Sequence, residues 1–222
     1  HQTGGPAELV CSNSFRGDAL TNGVGLLKEE MRRSGAALMA IAEQVAVPAG
    51  GALAVDRERF SAAVADALEA EWRIERRSGE FVELPGEDLG ITVIATGPLT
   101  AGPLAREIQT LTGADRLYFY DAIAPIVHAD SIDRNIVFAA SRYEKGDGDD
   151  YLNCPMEKPE YLAFLQRVRE AELTPLHAFE EARFFEGCLP IEVMASRGDK
   201  VLAFGPMKPV GLVDPRTGRR PY

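Results

Sequence analysis

The sequence predicts an α/β protein whose second half changes to a mixed α+β texture. Amphipathic helical patterns alternate with short apolar stretches up to residue 113. Within that half, "GITVIATGPLT" is an unbroken apolar, β-branched run ending in Thr-Gly-Pro, the signature of a strand buried on both faces of a parallel sheet. After residue 113, "LYFYDA", "NIVFAAS" and "KVLAFG" read as strands among helical segments near 158–171 and 178–186.

In chain order, residues 1–21 read as loop with one short strand, "ELVC". Thr21 or Asn22 caps a long helix, on which Leu27, Met31, Leu38, Ile41 and Val45 recur at helical spacing. Lys28, Glu29, Glu30, Arg32 and Arg33 fill its other face. Pro48, Gly50 and Gly51 end that pattern. Asp56 suits the N-cap of a second helix, with Phe60, Val64 and Leu68 aligned. "WRIER" and "EFVEL" alternate as short strands do, and Pro103 opens a further helix carrying Leu104, Ile108 and Leu111 inward. "EKGDGDD" is an acidic glycine loop at the surface. It has the wrong ligand spacing for calcium and no closing Glu.

Composition narrows the function. The 222 residues carry 24 basic and 34 acidic side chains, a net charge of −10, which excludes broad charge-driven adhesion to nucleic acid or anionic lipid but not a local basic groove. The longest apolar runs are far too short to span a bilayer, and "HQTGGPAE" has no signal-peptide character. Three cysteines, Cys11, Cys154 and Cys188, lie far apart without a CxxC pair, and His1, His128 and His177 have no zinc-like spacing, so a metal site is not expected. "GVGLLK" imitates a dinucleotide fingerprint, but Lys28 replaces the third glycine and the preceding segment is polar. "VIATG" is better placed to let a backbone approach a ligand, although many buried strands end this way.

Each cysteine taken alone reads first as a packed thiol. Cys11 is followed by Ser12, Asn13 and Ser14, and Cys188 sits in a Gly187–Pro190 break where a thiol can be accessible and activated. Cys154 lies in a turn before Pro155.

Eight segments in order, "ELVCSNSF", "TNGVGLLKEEMRR", "VPAGGALAVDRERF", "ITVIATGPLT", "YFYDAIAPIV", "DYLNCPM", "FFEGCLPIEVMA" and "FGPMKPVGLVDPRTG", resemble the TrmFO family of folate- and FAD-dependent tRNA uracil-5-methyltransferases, relatives of the larger GidA/MnmG flavoproteins. The likeness covers essentially the whole chain, with Phe15 where the family usually has Leu. It implies a cytoplasmic enzyme that methylates uridine 54 in the tRNA T-loop, with 5,10-methylenetetrahydrofolate as carbon donor, FAD as redox cofactor and NAD(P)H as reductant. Cys188 in "EGCLPIE" is then the expected nucleophile and Cys11 its acid/base partner, roles that are exchangeable, while Cys154 is read as structural. Ser12, Asn13, Thr96, Gly97 and Pro98 are expected beside the cofactor, and Arg142, Lys208 and Arg216 on the RNA.

The resemblance also implies an organisation: a partial Rossmann-like FAD-binding domain over 1–98, an inserted α+β substrate domain over 99–200, and a return segment over 201–222. The family's opening GxGxxG segment and its C-terminal part have no counterpart here, so the chain is expected to be an inactive fragment that relies on missing segments of its own polypeptide. Two rival readings remain: a non-catalytic RNA- or protein-binding module, and the same chemistry on ribosomal RNA.

Overall fold

The computed structural model describes residues 4–9, 12–86, 90–97, 100, 102–113, 127–173 and 189–222. The chain is a mixed helix and strand protein dividing into two compact units. One comprises His1–Ile74, Ala124–Ala171 and Ile191–Tyr222, the other Glu75–Ile123 and Glu172–Pro190.

The first unit begins with strand β1 (Ser14–Gly17), followed by helices α1 (Gly23–Arg33) and α2 (Ala37–Gln44). Strands β2 (Ala46–Val47) and β3 (Ala52–Val55) and helix α3 (Arg57–Ala70) complete this part. The three strands form an antiparallel sheet in the order β1-β3-β2, with β3 central. Met39, Ile41, Ala42, Val45, Leu53, Val55, Phe60 and Val64 bury one core between α2, β3 and α3. The Phe15 ring meets Phe60 edge-on at 5.5 Å, extending that core to β1.

The expected single long helix is two. Gly35 N donates to Arg32 O and Ala36 N to Met31 O, with Gly35 at φ +74°: a Schellman stop, for which glycine is suited because it lacks Cβ. The break resets the periodicity. Ile41 and Val45 remain buried, whereas Leu27 and Leu38 are exposed and Met39 takes an inward position. Asn22 is the N-cap, accepting from Gly25 N at 2.7 Å, and Asp56 caps α3 by accepting from Arg59 N at 3.0 Å. Gly25 serves close packing: a Cβ there would lie 2.0 Å from Ala19 O.

Lys28 reverses its expected position. It is 5% exposed, and its ammonium donates to Phe15 O at 3.0 Å, Gly17 O at 2.7 Å and Val24 O at 3.2 Å. The β1–β3 register shifts between Ser14 and Gly17, with Arg16 at φ +66°, so the ladder is interrupted there. Lys28 supplies donors to the carbonyls on either side of the bulge. Arg32 remains outward, joining α1 to Asp18 at 2.8 Å and to Glu43.

Farther along, β4 (Phe138–Ala139) pairs antiparallel with β5 (Leu152–Asn153), followed by α5 (Lys158–Glu170), α6 (Ile191–Ser196) and α7 (Val201–Phe204). Tyr161, Leu165, Ala195 and Leu202 form a second core among these helices. α5 starts with a reciprocal capping box, Glu157 and Glu160. "KVLAFG", expected as a strand, is helical: a short apolar run does not reveal its period, and one helical turn suffices to bury Leu202.

The acidic loop is not a free surface loop. Asp150 Oδ2 accepts from Gly50 N at 2.5 Å and Tyr151 OH donates to Ala49 O at 2.6 Å, fastening it to the β2–β3 turn. Gly146, at φ +70°, has no room for a side chain, since a Cβ would stand 2.2 Å from Asp150 Oδ2.

In the second unit, α4 (Gly102–Thr112) buries Leu104 but leaves Leu111 exposed. "WRIER" and "EFVEL" form no strand, and their residues are mostly exposed. "GITVIATG" also departs from expectation: residues 90–97 enter no ladder, and Ile91 and Val93 are 98% and 82% exposed. A strand is buried on both faces only when neighbouring strands and covering helices exist, and the described residues supply none for it. "ELVC" carries no strand at residues 8 and 9, and the ladder starts at Ser14; residues 10–11 lie outside the described ones, as do "LYFYDA" and the helix expected over 178–186.

Two outcomes follow from these contacts. Lys28→Met should cost about 2–3 kcal/mol, the scale of losing charge-assisted bonds to buried carbonyls, read as a lower urea midpoint with unchanged m-value. The Tyr151 phenol is raised above the ordinary tyrosine value by burial and then by the Asp150 charge. A raised folded value makes the docking complete below the usual tyrosine pKa and weaker as pH rises through the folded value. Ultraviolet titration should therefore show a phenol ionising above the ordinary tyrosine value that disappears in Tyr151→Phe.

Candidate functional site

Cys11, Cys188 and Pro98 lie outside the described residues, so the positions that the structure places are those around them. Ser12 is exposed, and its Oγ accepts from Ser14 N at 3.1 Å. Asn13 makes a reciprocal pair with β3: Nδ2 donates to Val55 O at 2.8 Å, and Val55 N donates to Asn13 O at 3.0 Å. Val55 is fully buried, so this polar turn is fixed to the core strand. The Lys28 ammonium holds Phe15 O directly after it. The segment that follows Cys11 is therefore rigidly based.

In the second unit, Thr96 Oγ1 lies 2.6 Å from Thr100 Oγ1, and Thr100 Oγ1 donates to Gly97 O at 3.0 Å. Gly97 is exposed at φ +73°, with no described atom within 4 Å of where a Cβ would be. Gly97 thus presents bare backbone outward.

Cys154 is exposed rather than sealed in a core. It lines a cavity of about 220 Å³ with Arg142, Met156, Tyr161, Met207 and Tyr222. The Arg142 guanidinium donates to Pro206 O at 3.3 Å.

A second, larger groove of about 990 Å³ is lined by Lys208 and Arg216. Arg216 is exposed, but its guanidinium is engaged by neighbouring groups. It meets Asp214 through Nε at 3.1 Å and Nη2 at 2.9 Å, and Nη1 donates to Asn135 O at 2.8 Å. The guanidinium and the Arg216 backbone N–H hold the Asp214 carboxyl below the ordinary aspartate range. Sequence reading missed Lys158 and Phe204 as groove residues; a lysine at a helix start and a phenylalanine in an apolar run carry no distinctive signal. Arg219 and Arg220 also line it.

Among the described residues, no group of three His, Cys, Asp or Glu is arranged to hold a metal ion, and no helix is long and apolar enough to cross a membrane.

Comparison with known proteins places the chain. The family model described as "Glucose inhibited division protein A" matches residues 1–219. A Geobacter sulfurreducens protein named methylenetetrahydrofolate–tRNA-(uracil-5-)-methyltransferase TrmFO is 59% identical over all 222 residues. Proteins of the same name from Heliobacterium modesticaldum and Staphylococcus aureus are 58% and 55% identical over the same length. The chain spans about half the length of these curated relatives, 50% in each case.

The Asp214–Arg216 pair predicts an acid-labile turn. A depressed folded value means that its contribution is present above the unfolded aspartate pKa and lost as pH falls through the folded value, below about pH 4. Gly218 N donates to Asp214 O at 2.8 Å, so the Gly218 amide resonance should shift with that midpoint. In Asp214→Asn the acid-dependent step should vanish.

Proposed function

The chain belongs to the glucose inhibited division protein A family, and on that premise we propose that it takes part in folate-dependent methylation of uracil C5 in tRNA, at uridine 54 of the T-loop. The observation carrying this reading is its 55–59% identity, along its full length, to proteins named for that reaction. In this reading the 222 residues contribute part of a partial Rossmann-like flavin domain together with a substrate domain. Alone they transfer no methyl group. NAD(P)H as reductant and a cytoplasmic location belong to the same proposal.

Uracil C5 is a weak nucleophile until a group adds at C6. Cys188 is proposed to add its thiolate there, creating an enolate whose C5 attacks the one-carbon unit. Cys11 then removes the C5 proton, and expulsion of the Cys188 thiolate restores the ring. The two sulfurs can exchange roles. FAD, when bound and reduced by NAD(P)H, would supply the electrons that reduce the unit taken from methylenetetrahydrofolate to a methyl group. Ser12, Asn13, Thr96, Gly97 and Pro98 are the residues proposed to hold it. The open backbone at Gly97 and the anchored Ser12–Asn13 turn support that assignment. Arg142, Lys208 and Arg216 are the initial RNA candidates; the ion pair of Arg216 favours a supporting role for it.

A chimera tests this reading. The matching half of the Geobacter sulfurreducens relative is replaced by these residues, and the product is given 5-fluorouridine-containing tRNA and methylenetetrahydrofolate. Peptide mass spectrometry should find a covalent nucleotide on Cys188, lost in Cys188→Ala and retained in Cys11→Ala. An adduct on Cys11 alone would exchange the roles. Neither adduct nor methylation of ordinary tRNA, from a chimera that folds, would overturn the function.

A further inference from the structure

The larger groove holds more chemistry than Lys208 and Arg216 alone. Five basic side chains line it, Lys158, Lys208, Arg216, Arg219 and Arg220, against three carboxylates, Glu157, Glu160 and Asp214. Those carboxylates are engaged: Glu157 and Glu160 in the capping box of α5, Asp214 with Arg216. Lys158, Lys208, Arg219 and Arg220 are exposed and make no ion pair among the described residues. On a chain of net charge −10, a trough lined by five cations against three carboxylates runs against the global balance.

Apolar surface is interleaved with them. Phe204 is 75% exposed in the groove, and Tyr222 lines it while its ring lies 5.3 Å from the Tyr161 ring. An exposed aromatic face suits stacking on a nucleobase, and cations spaced along an open trough suit a phosphodiester backbone.

We propose that this groove binds a single-stranded RNA segment, with Lys158, Lys208, Arg219 and Arg220 against phosphates and the Phe204 ring stacked on a base. Arg216 is a positioning residue: its pairing with Asp214 shapes the turn that presents Arg219 and Arg220. The inference rests on the reading of RNA as substrate and specifies where a strand is gripped.

The test is fluorescence anisotropy of the 222-residue chain with a labelled oligouridylate between about 50 and 200 mM salt. Binding should weaken with salt. Arg219→Ala/Arg220→Ala should lower affinity at least about 10-fold at low salt and reduce the log–log salt slope by about 1.4, the loss of two phosphate contacts on single-stranded nucleic acid. Phe204→Ala should cost at least about 5-fold without altering the slope. Arg77→Ala, far along the sequence and paired with Glu75, should leave affinity unchanged. Absence of oligouridylate binding at 50 mM salt, indifference to the double variant, or equal affinity for duplex RNA would overturn the groove assignment. An unchanged affinity in Phe204→Ala would overturn the stacking. If the chimera forms its nucleotide adduct while the groove variants have no effect on binding, the groove inference alone fails. Groove-dependent binding with no adduct removes the methyltransferase reading instead.

Discussion

A buried ammonium organises the amino-terminal part of the molecule. Lys28 bonds three backbone carbonyls that belong to two elements, and among the described residues it has no carboxylate partner. Taking an ammonium out of water is costly, and the bonds to Phe15 O, Gly17 O and Val24 O offset that cost only when all are made together. The interaction is therefore close to all-or-none, and it forces three things to coincide: the bulge in β1, the start of α1 and the inward turn of Phe15 toward Phe60. The Ser12–Asn13 turn inherits its position from that arrangement. Its other support, the exchange of hydrogen bonds with Val55, runs through the fully buried β3 strand.

The same economy recurs in the loop of residues 144–150. Its composition suggests solvent exposure, yet Asp150 and Tyr151 are both spent on the backbone of the β2–β3 turn. That turn is the hairpin joining β2 to the central strand. The sequence-distant 138–153 hairpin is thereby joined to the first core through donors and acceptors rather than through apolar surface. In the second core, Arg169 plays a comparable part, donating to Ala195 O at 2.8 Å and pairing with Asp199.

Much of this was legible in the residues, and the failures have physical causes. The caps Asn22 and Asp56 were readable because an N-cap is a local transaction between one side chain and a backbone N–H two or three residues on. Lys28 was not, because helical spacing counts charge as outward and cannot represent a buried lysine whose ammonium bonds carbonyls of another element. The Schellman stop at Gly35 was within reach of sequence reasoning, but an apolar pattern continuing in nearly the same phase concealed it. β3 was hidden inside "VPAGGALAVD", where the glycines drew attention and the four-residue strand did not. "GITVIATG" illustrates the converse: the residue types state a preference for burial, and burial requires partners that a local pattern cannot supply. For the site, the eight collinear segments located the family, while Lys158 and Phe204 became visible only when folding brought α5, α7 and the 208–222 return around one groove.

Hydrogen–deuterium exchange comparing the native chain with Lys28→Met tests the organising role of the ammonium most directly. The account predicts accelerated exchange at the Val55 amide, which is bonded to Asn13 O, and across Ser14–Gly17, with protection of α5 and α6 unchanged. Native-like protection of Val55 and β1 in the variant would contradict it, since the turn after Cys11 would then hold its place without Lys28.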